Sequence, residues 1–289
     1  MKTIQEKAYA KLNISLDVGK CREDGFHEMT MVMQSISLAD AVTVTLNDTG
    51  KVRARTSLPF IPGDERNLAV KAALCYLEAI GRQGQGAWIE IQKAVPVGAG
   101  MGGGSSDAAA VLRAMNALFD HALSTPELEK LSCAVGSDVA FCVAGGTALA
   151  TGRGEKLEAL PPLPDCAFVV CKPEFSISTP ELFKKLDSVH LKGHPDTAGL
   201  IAALEKGSLP ELCRRMYNVF EDVGDRRMRT VSQIKGQLLD HGALGAVMTG
   251  TGSAVFGVFQ ERGRAETACA ALQKEYGFCC VTEAVGRLL

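Results

Sequence analysis

The stretch Pro96-Val97-Gly98-Ala99-Gly100-Met101-Gly102-Gly103-Gly104-Ser105-Ser106-Asp107-Ala108-Ala109-Ala110 joins a glycine-rich loop directly to the start of a helix. Five of the seven residues from Gly98 to Gly104 are glycine, which frees the backbone to curl and to expose consecutive N–H groups. Ser105, Ser106 and Asp107 are good helix-starting residues. After them Ala108, Val111, Leu112, Met115, Leu118 and Phe119 recur at helical spacing as one apolar stripe. Free N–H groups that feed a helix N-terminus make a site for an anion, above all a phosphate.

Three familiar phosphate loops fit less well. A P-loop ends in Gly-Lys-Ser/Thr, yet no lysine lies between Lys93 and Arg113. Gly98, Gly100 and Gly103 satisfy the dinucleotide pattern, but that pattern needs a second parallel strand ending in an acidic residue. Asp120 stands at about the right distance, at a helix end, and residues 124–135 read as another helix. A protein-kinase glycine loop lies between strands, whereas this one opens a helix. A glycine turn without any ligand is the plain alternative, and the density of glycine argues against it.

The chain has 289 residues, enough for two ordinary domains. Hydrophobic residues are 46% and charged residues 22%, with a net charge of −2, the balance of a globular protein rather than a polyanion binder. No basic stripe interleaved with aromatics supports nucleic-acid binding, and no apolar run reaches membrane-spanning length. Residues 1–16 carry Lys2, Glu6, Lys7 and Lys11 without an apolar segment, which is unlike an export signal. Ten cysteines form no C-x-x-C pair and sit mostly in apolar stretches, as small core residues in a reducing cytoplasm do. His190 and His194 have zinc-like spacing, but 187–197 reads as a polar loop and no protein metal site is expected there.

Strands are expected over 7–18, 30–46, 51–57, 86–95 and 146–151, and helices over 67–80, 105–119 and 124–135, the last with a Ser124/Glu127 capping box. Leu160-Pro161-Pro162-Leu163-Pro164 reads as a linker. Beyond it, a strand at 166–171, a run of helices, strands at 244–248 and 253–259, a helix at 262–276 and a last strand at 279–285 give the ferredoxin-like order with extra helices in the first crossover. The fold class is therefore α+β, with domains at 1–160 and 161–289.

Phosphoryl transfer needs more than a phosphate loop: positive charge on the phosphates and a group to orient or deprotonate the acceptor. Three segments offer these parts. Lys11 lies in an alternating strand, where a solvated surface lysine is the ordinary reading. Asp138, flanked by Val139, Ala140 and Phe141, is the only charge between Lys130 and Arg153, and is equally a helix cap. Thr249-Gly250-Thr251-Gly252-Ser253 is a second glycine turn, ordinarily a plain β-turn.

Taken together, Ala10-Lys11-Leu12-Asn13, Pro96 to Asp107 and Gly250-Thr251-Gly252-Ser253 resemble the three motifs of the GHMP kinases (galactokinase, homoserine kinase, mevalonate kinase, phosphomevalonate kinase). Further segments are similar to the 4-diphosphocytidyl-2-C-methyl-D-erythritol kinases of that superfamily. They are Lys11 to Gly19, Arg22 to His27, Gln34 to Asp40, Asn67-Leu68, Gly136 to Phe141, Gly152 to Glu155 and Asn218 to Glu221.

The resemblance implies a ribosomal-S5-domain-2-like N-terminal domain, a ferredoxin-like C-terminal domain and an active site between them. It implies ATP-dependent phosphorylation of the 2-hydroxyl of the cytidine-diphosphate-linked methylerythritol, in isoprenoid-precursor synthesis by the methylerythritol phosphate route. Small molecules are then the partners, with no nucleic acid or membrane. By the same resemblance Gly98 to Ser106 wrap the ATP phosphates, Pro96 and Val97 flank them, and Asn67 lies near the adenine. Ser105 or Ser106 meets Mg2+. Asp138 accepts the hydroxyl proton and Lys11 stabilises the developing charge. Phe26 and His27 receive the cytosine, Phe26 where tyrosine is common, and Asn13 and Thr179 lie on the acceptor side. Another GHMP kinase, a nucleotide-binding regulator and a dinucleotide oxidoreductase remain as alternatives.

Overall fold

The computed structural model describes residues 2–189, 191, 193–223 and 226–289; His190 lies outside them. The first sheet is built on two long strands, β1 (Thr3–Cys21) and β2 (His27–Asn47), antiparallel over almost their whole length. Next come β3 (Val52–Thr56), helix α1 (Leu68–Ala79), β4 (Gly86–Gln92), α2 (Gly103–Leu118), α3 (Thr125–Val135), α4 (Ser137–Ala144), β5 (Thr147–Gly152) and β6 (Lys156–Ala159). The expected 30–46 strand is thus one element. Its distal half pairs with β4 and its proximal half with β5, whose hairpin partner is β6. The chain then enters β7 (Ala167–Lys172), helices α5 (Thr179–Leu186), α6 (Thr197–Glu205) and α7 (Leu209–Cys213), β8 (Tyr217–Asn218), α8 (Met228–Asp240), β9 (Gly245–Met248), β10 (Val255–Phe259), α9 (Arg262–Leu272) and β11 (Phe278–Glu283).

The second sheet runs β11-β7-β10-β9, all neighbours antiparallel, which is the ferredoxin-like strand order anticipated from the sequence. Two features cross between the halves. Tyr217 and Asn218 form β8, which joins the first sheet in parallel beside Ser15 and Leu16. At the chain's end Ala284 and Arg287 bridge Ile36 and Gly145. No strand is expected from the sequence at residues 217–218, which follow the run of helices. Their backbone is extended because the edge of β1 accepts it, a tertiary demand that local propensity does not carry.

Side-chain faces along β1 matter most for the site. Ala8, Leu16 and Val18 pack in the core beneath the helices, whereas Ala10, Leu12 and Ile14 pack with Phe168, Val170 and Phe256 of the second sheet. The β1–β2 register shifts between Tyr9 and Lys11 and again between Asn13 and Ser15. A one-residue irregularity in a period-two strand exchanges its faces. Lys11 and Asn13 are therefore swung inward and buried, at 4% and 0% exposure, where unbroken alternation would have kept Lys11 on the side of the exposed Lys7.

α2 starts at Gly103, two residues before the expected serine start, with Gly102 as its cap at φ 69°. Its first carbonyl bond runs from the Ser106 N–H to Gly102 at 2.8 Å, so the N–H groups of its first turn are left for another acceptor. α3 carries the expected capping box, with the Glu127 carboxylate accepting from the Ser124 N–H and hydroxyl. Asp120 sits in a turn at φ 55° before α3, so no second parallel strand follows α2.

Candidate active site

The glycine loop separates two cavities. One, of about 300 Å³, is lined by Asn67, Lys93, Asp107 and the loop from Pro96 to Gly104. The other, of about 750 Å³, runs from Lys11 and Asp138 past Phe26, His27 and Arg153 to Thr179 and Phe183. Gly98, Gly100 and Gly102 line both.

The loop is clasped by the turn after β9. The Ala254 N–H donates to the Ala99 carbonyl at 3.2 Å, and the Thr249 hydroxyl lies 3.3 Å from the Gly100 carbonyl. Gly100 has φ 75°, and a Cβ there would stand 2.2 Å from the Thr249 carbonyl oxygen, so only glycine fits. The turn is held from behind by Asn218, whose Nδ2 donates to the Met248 and Gly250 carbonyls at 2.7 and 2.8 Å. Glu221 Oε1 accepts the Met248 N–H at 2.8 Å, and its other oxygen binds Lys235. β8 therefore carries Asn218 to this clamp.

Lys11 reaches the loop from the first sheet. Its N–H donates to the Met101 carbonyl at 3.0 Å, and its side chain packs over Gly102, where a Cβ would lie 3.1 Å from Lys11 Cγ. Nζ donates to Asn13 Oδ1 at 2.6 Å and stands 3.7 Å from Asp138 Oδ2. Asp138 lies in the first turn of α4, where the helix dipole favours a carboxylate. Its side chain is 34% exposed, open to the larger cavity, while that of Lys11 is 5% exposed. A buried cation thus faces a carboxylate that solvent or a hydroxyl can reach.

Asn13 does not line the cleft. It is wholly buried behind Lys11, bonded also to Met31 and to the Thr249 hydroxyl, and so acts on the site by holding the lysine. Asn67 caps α1: its Oδ1 accepts the Ala69 N–H at 2.9 Å and its Nδ2 donates to Pro62, on the wall of the smaller cavity. Ser106 is buried and donates to Gly102, whereas Ser105 is half-buried in the first turn of α2. Phe26 is half in solvent on the turn before β2. His27 Nε2 lies 2.7 Å from Asp187 Oδ1, with its ring 5.1 Å from that of Phe183. Thr179 opens α5 with its hydroxyl 2.9 Å from that of Thr251. Reading the sequence missed Phe183 and Arg153 as cleft residues. Phe183 sits in a helix stripe without a local signal, and Arg153 sits at a hairpin tip inside the family-like segment Gly152 to Glu155, whose place in the cleft only the fold gives.

A buried cluster underlies the loop. Lys93 Nζ donates to Asp40 at 2.5 Å and to Asp107 at 2.7 Å, and Asp40 also accepts the Ala94 and Val95 N–H groups. Burial pushes the Asp107 carboxyl up to about 7, against the pull of Lys93. Its Oδ1 has no hydrogen-bond partner among the described residues. The cluster pins the strand entering the loop to the helix leaving it.

Residues 67–146 match the GHMP kinase N-terminal domain family and residues 200–277 its C-terminal domain family. A 4-diphosphocytidyl-2-C-methyl-D-erythritol kinase of Bacillus licheniformis is 45% identical over 96% of this chain and 94% of its own. The chain belongs to the 4-diphosphocytidyl-2-C-methyl-D-erythritol kinases of the GHMP family. A GHMP relative of the same name from Clostridium botulinum is 41% identical over 96% of this chain and 99% of its own. A crystal structure of a 4-(cytidine 5'-diphospho)-2C-methyl-D-erythritol kinase superposes with a TM-score of 0.79 at 32% identity, over 98% of this chain and all of the other. The GHMP two-domain α+β fold and its kinase class are thereby fixed for this chain, as the motifs had implied. Among the described residues no group of three or more His, Cys, Asp or Glu side chains is placed to hold a metal, and no helix is long and apolar enough to cross a membrane.

Proposed function

We propose that this GHMP kinase transfers the γ-phosphoryl group of ATP to the 2-hydroxyl of 4-diphosphocytidyl-2-C-methyl-D-erythritol, with Lys11 and Asp138 at the point of transfer. The observation that carries this is their 3.7 Å separation on the acceptor side of Gly102. The smaller cavity takes ATP, with its phosphates against the N–H groups of the loop and of the first turn of α2. The pyrimidine lies against Phe26, His27 and Phe183, and Thr179 borders the acceptor. Asp138 accepts the hydroxyl proton as the oxygen attacks the γ-phosphorus. The bond from that phosphorus to the β–γ bridging oxygen breaks, and ADP leaves. Lys11 stabilises the charge on the attacking oxygen and the transferred group.

Magnesium fits as an ion carried by the nucleotide. The protein offers hydroxyls rather than a carboxylate cage, and Ser105 is the more accessible of the two, since Ser106 is buried at 1% exposure while Ser105 is half-buried. When bound, it neutralises phosphate charge. Residues 1–160 and 161–289 form the two domains, with 217–218 and 284–287 returning to the first. All ten cysteines are free thiols, which supports a reducing cytoplasm as the place of reaction.

Asp138→Asn tests the assignment: turnover with the cytidyl substrate should fall by roughly 10²–10⁴ with ATP binding retained. Activity within about tenfold of the parent rejects Asp138 as the base. Turnover with homoserine or mevalonate in place of the cytidyl compound rejects the substrate.

A further inference from the structure

We infer that Arg153 holds the diphosphate of the acceptor, while its stack on Phe26 reserves the other face of that ring for the pyrimidine. The inference rests on the cytidyl-diphosphate reading above and goes on to assign a recognition residue within it.

Arg153 sits at the tip of the β5–β6 hairpin and lines the larger cavity. Its Cζ lies 5.0 Å from the centroid of the Phe26 ring, and a guanidinium over an aromatic face is attracted to it. Both partners are fixed from behind. The Arg153 N–H donates to Glu155 Oε2 at 2.6 Å, and the neighbouring Gly152 N–H donates to Glu28 Oε1 at 3.1 Å. Glu28 Oε2 accepts from Arg22 Nη1 at 2.8 Å, which ties the hairpin to the turn that presents Phe26. On its other side the hairpin meets the transfer point: a Cβ on Gly154 would stand 3.8 Å from Asp138 Oδ1. One turn therefore spans the distance from the proton acceptor to the aromatic ring. An acceptor with its hydroxyl at Asp138 and its base on Phe26 carries its diphosphate past Arg153.

The charge there is unspent. Asp24 is near enough to be influenced by Arg153, but it accepts the Phe26 N–H at 3.1 Å and pairs with Arg22. Glu28 is taken by Arg22 and Gly152, and Glu155 by the Arg153 backbone. Arg153 makes no ion pair among the described residues. Of the other cations in the cleft, Lys11 is committed to Asn13 and Asp138, and Lys184 stands exposed on α5. A guanidinium presents a planar fork that matches two phosphate oxygens, which an ammonium does not.

The test compares CDP and cytidine binding to the parent, Arg153→Gln and Arg153→Lys, with steady-state KM values alongside. Arg153→Gln should weaken CDP roughly ten- to a hundredfold, the usual range for a lost hydrogen bond to a charged group, and change cytidine less than about threefold. KM for the cytidyl acceptor should rise by a similar factor with KM for ATP unchanged. Arg153→Lys should recover part of the loss. Equal weakening of CDP and cytidine overturns the inference, because Arg153 then only props the ring; so does unchanged CDP affinity. A parent protein that binds neither CDP nor cytidine overturns the acceptor reading itself, before any variant is compared.

Discussion

At the scale of single residues, the buried cluster beneath the glycine loop has a pH signature. Asp107 titrates at about 7 in the fold because burial penalises its charge, against an ordinary value of 3.8. The native state therefore holds that proton more tightly than the unfolded chain, and stability falls as pH rises between these two values. Asp107→Asn keeps an acceptor for Lys93 and removes the buried negative charge. It should raise the melting temperature more at pH 8 than at pH 5, and an equal shift at both pH values would refute the assignment. Lys11 shows what a sequence leaves unsaid at this scale. Its neighbours alternate like those of a solvated strand face, and only the two register shifts turn it inward. Nothing in the residues 9–15 announces such a shift, because it is set by pairing with β2.

Among the elements, the glycine loop and the Thr249–Ser253 turn behave as one part. Gly100→Ala places a side chain at φ 75° and against the Thr249 carbonyl, where the left-handed backbone alone costs about 1–2 kcal/mol. The variant should melt lower and lose the upward shift in melting temperature that ATP gives the parent. A normal ATP-induced shift would show that the clasp does not govern the loop. Most elements were legible because each is written locally: the apolar stripe of α2, the Ser124/Glu127 box, the Pro-rich crossing at 160–164 and the βαββαβ order. β8 was not. Tyr217 and Asn218 follow a short helix with no turn signal, and their strand exists only because β1 has a free edge. α4 was missed as a helix for a similar reason, since eight residues beside a glycine pair resemble a capped turn. Its Asp138 was still found, as an isolated charge in apolar surroundings. Phe183 and Arg153 became site residues only through the meeting of the two sheets.

For the molecule as a whole, the loop is a partition with a nucleotide-sized recess on one side and a long cleft on the other. Lys11 and Asp138 face the cleft, and neither lines the recess. Initial-rate plots with both substrates varied should therefore give intersecting lines, as for a ternary complex. Parallel lines, or phosphate trapped on the protein without acceptor, would contradict that. A wall with a mouth on each side also has a bearing on inhibition. A compound built for the long cleft need not compete with the abundant cellular nucleotide, because donor and acceptor enter by separate doors and meet only where the γ-phosphoryl group passes the three glycines that both cavities share.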